Sequence, residues 1–220
     1  MTTLITFTKS LAAASANNIA TSQSPGSAAF TLNGSTVSGG VATIDTASNN
    51  NMAIGRRVLI TSGGDDSGIN FLVTGTVASG AVVTDTFAGA NAGTAYSNLD
   101  FVTVTKIIGS GAVASTVTAG TNGIGSGSWL TANYYGRSPL NIGYAVELVS
   151  GAVNYTVQYT YDDPNNLSSG VSFPLAFDTI LASQSATADS TLTTPIAATR
   201  VLINSGTGVI RVRVLQAGIG

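Results

Sequence analysis

The stretch Val153-Asn154-Tyr155-Thr156-Val157-Gln158-Tyr159-Thr160-Tyr161 decides the fold class. Its odd-numbered positions are all Val or Tyr, and its even-numbered positions are all polar. Successive side chains on a β-strand point to opposite faces, so this order sets an apolar face against a polar one. Tyr155, Tyr159 and Tyr161 then read as a stripe for sheet packing. Working outward, the same period of two recurs. Ile69, Phe71 and Val73 share one strand face, and Tyr144, Val146 and Leu148 share another. In the last run Ile210, Val212 and Val214 face one way, while Arg211 and Arg213 face the other.

Turn signals punctuate these runs roughly every 8–12 residues, the spacing of an all-β architecture. They include Asn33-Gly34, Ser38-Gly39-Gly40, Ser62-Gly63-Gly64, Ser79-Gly80, Gly109-Ser110-Gly111, Asn122-Gly123 and Asp162-Asp163-Pro164. Helix signals are weak. The segment Leu11 to Ala20 has enough alanine for a short helix, but its Ser and Asn residues are poor helix formers. A flexible or partner-bound arm competes with that reading. The stretch Gly120 to Ser128 holds four glycines and reads as a flexible connection. The expected fold is all-β, with antiparallel β-sandwich or jelly-roll-like modules behind a short N-terminal arm. The expected boundaries are an arm at 1–26, a first β module at 27–119, a Gly/Ser linker at 120–127 and a second β module at 128–220. A single sandwich with a long glycine-rich loop is the alternative.

Charge is scarce. Asp, Glu, Lys and Arg make up 8% of the 220 residues, against about a quarter in an ordinary soluble domain. Mean hydropathy is nevertheless positive at +0.34, and apolar residues recur throughout, so the chain does not read as disordered. No apolar run reaches the ~20 residues of a membrane-spanning helix, so no membrane partner is expected. A surface this poor in charge resists association badly. Covering it with partner subunits is one solution; keeping it wet with Ser and Thr is another. The eight cations are scattered and net charge is −2, which argues against nucleic-acid binding by phosphate neutralisation.

Histidine and cysteine are both absent. That removes the Ser-His-Asp and Cys-His constellations, disulfides and the usual zinc sites. What remains is nine Asp and one Glu. Glu147 lies on a strand opposite the Tyr144–Leu148 face. It reads as a solvent-facing residue or an arginine's partner, because no second carboxylate can be paired with it as a glycosidase requires. Asp65-Asp66 and Asp162-Asp163 read as turn residues rather than calcium loops. The glycine-rich segments lack the Lys-Ser/Thr ending of a phosphate loop. No enzyme activity, cofactor or metal is expected. Candidate interface residues are Trp129, Tyr134, Tyr135 and Arg137, an aromatic cluster that either binds a partner or glycan or plugs a junction. Arg211 and Arg213 join them, either as ion-pair donors to a neighbouring subunit or as charges guarding a sheet edge.

A resemblance accompanies these readings. The run from Gly55 to Thr76, with Arg56-Arg57-Val58-Leu59-Ile60 and Gly63-Gly64-Asp65-Asp66 inside it, resembles a pattern in structural proteins of tailed bacteriophages. The segment Gly80 to Gly89, the strand Phe101 to Thr105 and the ending Arg200 to Gln216 are similar to theirs too. The resemblance covers about half the chain in style and spacing and carries no catalytic signature. It implies a virion protein, assembled in the host cytoplasm, that decorates or cements the capsid shell. Its implied partners are the major capsid protein or other virion proteins, and further copies of itself. A tail, fibre or head–tail component that binds a host-surface glycan or neighbouring tail proteins is the alternative. The N-terminus lacks the basic and apolar regions of a signal peptide.

Overall fold

The computed structural model describes residues 3–46, 52–132, 141–162, 164 and 177–216. Fourteen strands account for the regular structure of these residues, none of which is helical. Every strand pairing given below is antiparallel. The all-β antiparallel expectation is met. The chain divides into two compact units, residues 1–12, 48–52 and 127–220, and residues 13–47 and 53–126.

The first unit is built on two long strands, β11 (Ile142–Thr160) and β14 (Ala198–Gln216), which pair along nearly their whole length. On the far side of β14 lie β1 (Thr3–Leu11), paired from Thr3↔Gln216 to Leu11↔Gly208, and the short β10 (Leu130–Thr131). On the far side of β11 lie β12 (Phe177–Gln184) and β13 (Ala188–Leu192). The inward side chains are those that the alternation picked out. Tyr144, Val146, Val153, Tyr155, Val157, Ile210, Val212 and Val214 are all buried. At about 25 cal/mol per Å² of apolar surface, each large one contributes roughly 2 kcal/mol.

The two runs Tyr144–Leu148 and Val153–Tyr161 belong to one continuous strand. The parity of buried apolar positions changes between them, from even numbers to odd, and that of β14 changes from odd to even between Ile203 and Ile210. A one-residue slip exchanges the faces of a strand, and a bulge absorbs it. Register shifts fall at Leu148/Ser150 and Asn154/Tyr155. Gly151 (φ 78°) and Gly208 (φ 149°) face each other there in a conformation that side chains disfavour.

The second unit contains β2 (Ser15–Gln23), β3 (Val37–Ser38), β4 (Val41–Thr43), β5 (Ile54–Ser62), β6 (Asn70–Val77), β7 (Val82–Ala88), β8 (Thr94–Gly109) and β9 (Val117–Gly127). Its sheet order is β9-β5-β8-β4-β3, with β2 beside β9, and with β6 on β8 and β7 on β6. Phe30, Phe71, Phe87, Phe101, Val58, Ile60 and Ile107 form its core, with Phe30 and Phe71 edge to face at 5.9 Å.

Several expectations are corrected. The arm expected at 1–26 is strand over Thr3–Leu11 and Ser15–Gln23, and Leu11–Ala20 is not a helix. These two stretches supply β1 to one unit and β2 to the other, because β14 and β9 offer hydrogen-bonding edges that outweigh local alanine content. Residues 120–127 are not a flexible linker; they complete β9, and Asn122-Gly123 is strand rather than turn. Glycine serves close approach there. A Cβ on Gly120 would strike the backbone of Ser15 and Ala16, and one on Gly125 would strike that of Gly55. The first module at 27–119 therefore also needs β2 and the rest of β9, which the unit 13–47 and 53–126 contains.

Candidate functional site

The outward face of β1, β14, β11 and β13 gathers the polar chemistry of the first unit. The pairing places Thr8, Arg211 and Glu147 in one row, Thr6, Arg213, Ala145 and Asp189 in the next, and Leu4, Leu215, Gly143 and Thr191 in the third. One carboxylate oxygen of Glu147 serves both guanidinium groups: it accepts a hydrogen bond from Arg211 at 3.1 Å and forms an ion pair with Arg213 at 2.9 Å. Arg211 Nε also donates to Thr8 Oγ1 at 3.3 Å. The three charged side chains are 34–42% exposed, so solvent screens them and each pair contributes no more than about 1 kcal/mol. Two cations on one anion leave the cluster with a surplus positive charge. Asp189, on the same face, has no ion pair among the described residues. Leu4 and Leu215 lie side by side there, 62% and 44% exposed.

Arg211 and Arg213 therefore bind within the chain. They do not guard a sheet edge, because β14 is flanked on both sides at their positions, by β1 and β11. Trp129 lies in the same unit as Arg200, whose guanidinium stacks 4.5 Å from the centre of its ring and donates from Nε to Gln158 Oε1 at 2.8 Å. The indole N–H is buried without a hydrogen-bond partner among the described residues. Tyr134, Tyr135 and Arg137 lie outside the described residues. The tyrosine stripe divides: Tyr155 is fully buried, while Tyr161 is 62% exposed and meets Tyr159 edge to face at 5.5 Å.

Chemistry of other kinds finds little to stand on. The carboxylate of Glu147 is committed to two arginines. Asp65 accepts from the Ser67 hydroxyl at 2.7 Å and the Ser67 N–H at 3.1 Å. Those two bonds, the hydroxyl first, lower its pKa below the ordinary value. This is the turn chemistry expected of Asp. Asp66 is fully buried, with one oxygen bonded to the Ala114 N–H at 2.7 Å. No three metal-ligating side chains cluster among the described residues. A cavity of about 70 Å³, lined by Ile5, Leu130, Ile142 and Val214 among others, is far below the ~300 Å³ of a ligand pocket.

Sequence reasoning missed β1 and Asp189. The signal for β1 was present: Ile5 and Phe7 alternate with Thr6 and Thr8. Asp189 carried none, because its place beside the cluster depends on the β11–β13 register. Comparison of the chain with protein-family models, with curated proteins and with solved structures gives no match.

Proposed function

We propose that this chain is a structural protein of a tailed-phage particle, which decorates or cements the capsid shell by packing its β surface against shell subunits and its own copies. One observation carries the reading: an all-β scaffold whose surface is almost without charge. Charged residues are 8% of the chain, and three of them, Lys9, Arg56 and Asp66, are themselves buried. Exposed apolar side chains stand in their place, among them Leu4, Val82, Tyr96, Val149, Tyr161 and Leu215. Such a surface gains by being covered, at roughly 25 cal/mol per apolar Å² before the cost of association. The phage-like runs Gly55–Thr76 and Arg200–Gln216 point to the particle in which the covering takes place.

Of the aromatic residues expected of a glycan-binding tail or fibre component, Trp129 has one ring face covered by Arg200, and Tyr134 and Tyr135 lie outside the described residues. Decoration is the better supported reading. The test is co-sedimentation of the purified chain with emptied heads of its phage. Saturable binding at high copy number, little weakened by salt, is expected of apolar docking. Absence of binding, or binding confined to a single vertex, would overturn it.

A further inference from the structure

Among the described residues, the first unit leaves two strand edges open, and their chemistry is complementary. Strand β1 hydrogen-bonds to β14 along nine residues without a register shift, and no other strand pairs with it among the described residues. Its outward side chains Leu4, Thr6, Thr8 and Ser10 are all exposed. Natural proteins blunt such edges with charge, proline or a bulge. Here there is no proline and no bulge, and the one charge, Lys9, is on the buried side. At the opposite end of the sheet, β13 pairs with β11 alone among the described residues, also without a bulge. Its exposed Asp189 lies on the same face as the Arg211–Glu147–Arg213 cluster.

We propose that copies of this chain join head to tail, the open edge of β1 in one copy pairing antiparallel with the open edge of β13 in the next. Strand direction permits it. Along the series β1, β14, β11, β13 every step is antiparallel, so β13 and β1 run in opposite directions. A second copy in the same orientation therefore continues the sheet without a break.

Charge selects this joint over the two symmetric ones. Pairing β1 with a second β1 brings together two clusters that each carry a surplus positive charge. Pairing β13 with a second β13 brings Asp189 against Asp189. The mixed joint sets Asp189 of one copy beside Thr6 and Thr8 of the next, with Arg211 and Arg213 one strand further on. Two strand spacings are roughly 10 Å, a span that an arginine side chain and a carboxylate close between them. The exposed Leu4 and Leu215 lie on the same face and add apolar area. The β13 ladder is five residues long, so each joint is weak. A heterologous joint repeats, into a ring if the rotation closes and a filament if it does not.

The experiment is native mass spectrometry with sedimentation velocity on the full chain over a concentration series. The wild-type chain is expected to form oligomers that grow with concentration. Thr6→Asp/Thr8→Asp sets carboxylates against Asp189, and Asp189→Arg sets a guanidinium against the arginine cluster. Each is expected to weaken association about tenfold or more, or by more than 1.4 kcal/mol. The triple variant, with both changes, is expected to reassemble, as is an equimolar mixture of the two. A misfolded variant cannot do that, and matching circular dichroism spectra provide the folding control. A wild-type chain that stays monomeric, or an Asp189→Arg chain that assembles normally, would overturn the proposal. Loss in the β1 variant alone would indicate a symmetric β1 joint instead, and would equally overturn it. The joint stands apart from the shell-docking reading: a chain that forms oligomers yet ignores phage heads keeps the former and loses the latter.

Discussion

Two tyrosines of one strand show how much a single hydroxyl decides. Tyr144 and Tyr155 are both buried in the first unit. The Tyr155 hydroxyl donates to the Ala186 carbonyl at 2.9 Å, whereas that of Tyr144 has no partner among the described residues. An unsatisfied buried hydroxyl costs about 1–3 kcal/mol, and a made hydrogen bond contributes about 1. Tyr144→Phe is therefore expected to raise stability by about 1 kcal/mol and Tyr155→Phe to lower it by about as much, read from urea midpoints. Their shared burial was legible from period two; the difference between them was not, because Ala186 is 31 residues from Tyr155. The same holds for Arg56 and Arg57, identical neighbours in sequence. Arg56 is 6% exposed, its Nη1 donates to the Gly123 carbonyl at 2.5 Å, and burial lowers its pKa against the opposing pull of Asp45 and Asp100.

Among the elements, β9 separates composition from conformation. Its four glycines suggest a hinge, yet it is an eleven-residue strand with most positions buried. Gly125→Ala is expected to destabilise by about 1–3 kcal/mol, because the added methyl group meets the backbone of Gly55 rather than a yielding side chain. Amide exchange is expected to find residues 117–127 protected; a flexible connection would exchange freely and tolerate the substitution. Strands with alternating large side chains, such as β6 with Phe71 and Val73, were readable because the pattern depends on neighbours two residues apart. Strands β2 and β9 were not, because what makes them strands is close approach to distant partners: Gly120 admits Ser15 and Gly125 admits Gly55. The candidate interface residues follow the same rule. Arg211 and Arg213 were visible as a pair, but their union on Glu147 is set by the β11–β14 register.

At the scale of the whole molecule, few groups titrate near neutrality. With histidine and cysteine absent, no side chain has an ordinary pKa between about 5 and 8. The resolved shifts of Asp65 and Tyr144 both move away from that window. Asp65 is lowered by its bonds to Ser67, so its contribution is present above the ordinary carboxylate value and is lost as pH falls through its folded pKa. Tyr144 is raised by burial, with Tyr155 adding to it. Its contribution is present below the ordinary phenol value near 10 and is lost as pH rises through its folded pKa. Urea midpoints are expected to be flat between about pH 6 and 9 and to decline above about 10, a decline that Tyr144→Phe reduces.

The pairing of β1 with β14 also sets an order of events during synthesis. Residues 13–47 and 53–126 form a unit whose strands have all left the ribosome while β14 is still to be made. Strand β1, translated first, waits for a companion some two hundred residues downstream, since Thr3 lies against Gln216. Nascent chains thus carry a finished unit and an unfinished one, and the β1–β14 ladder forms last. A polypeptide cut short before β14 has no partner strand for β1, so the β1 ladder is a property of the finished chain alone.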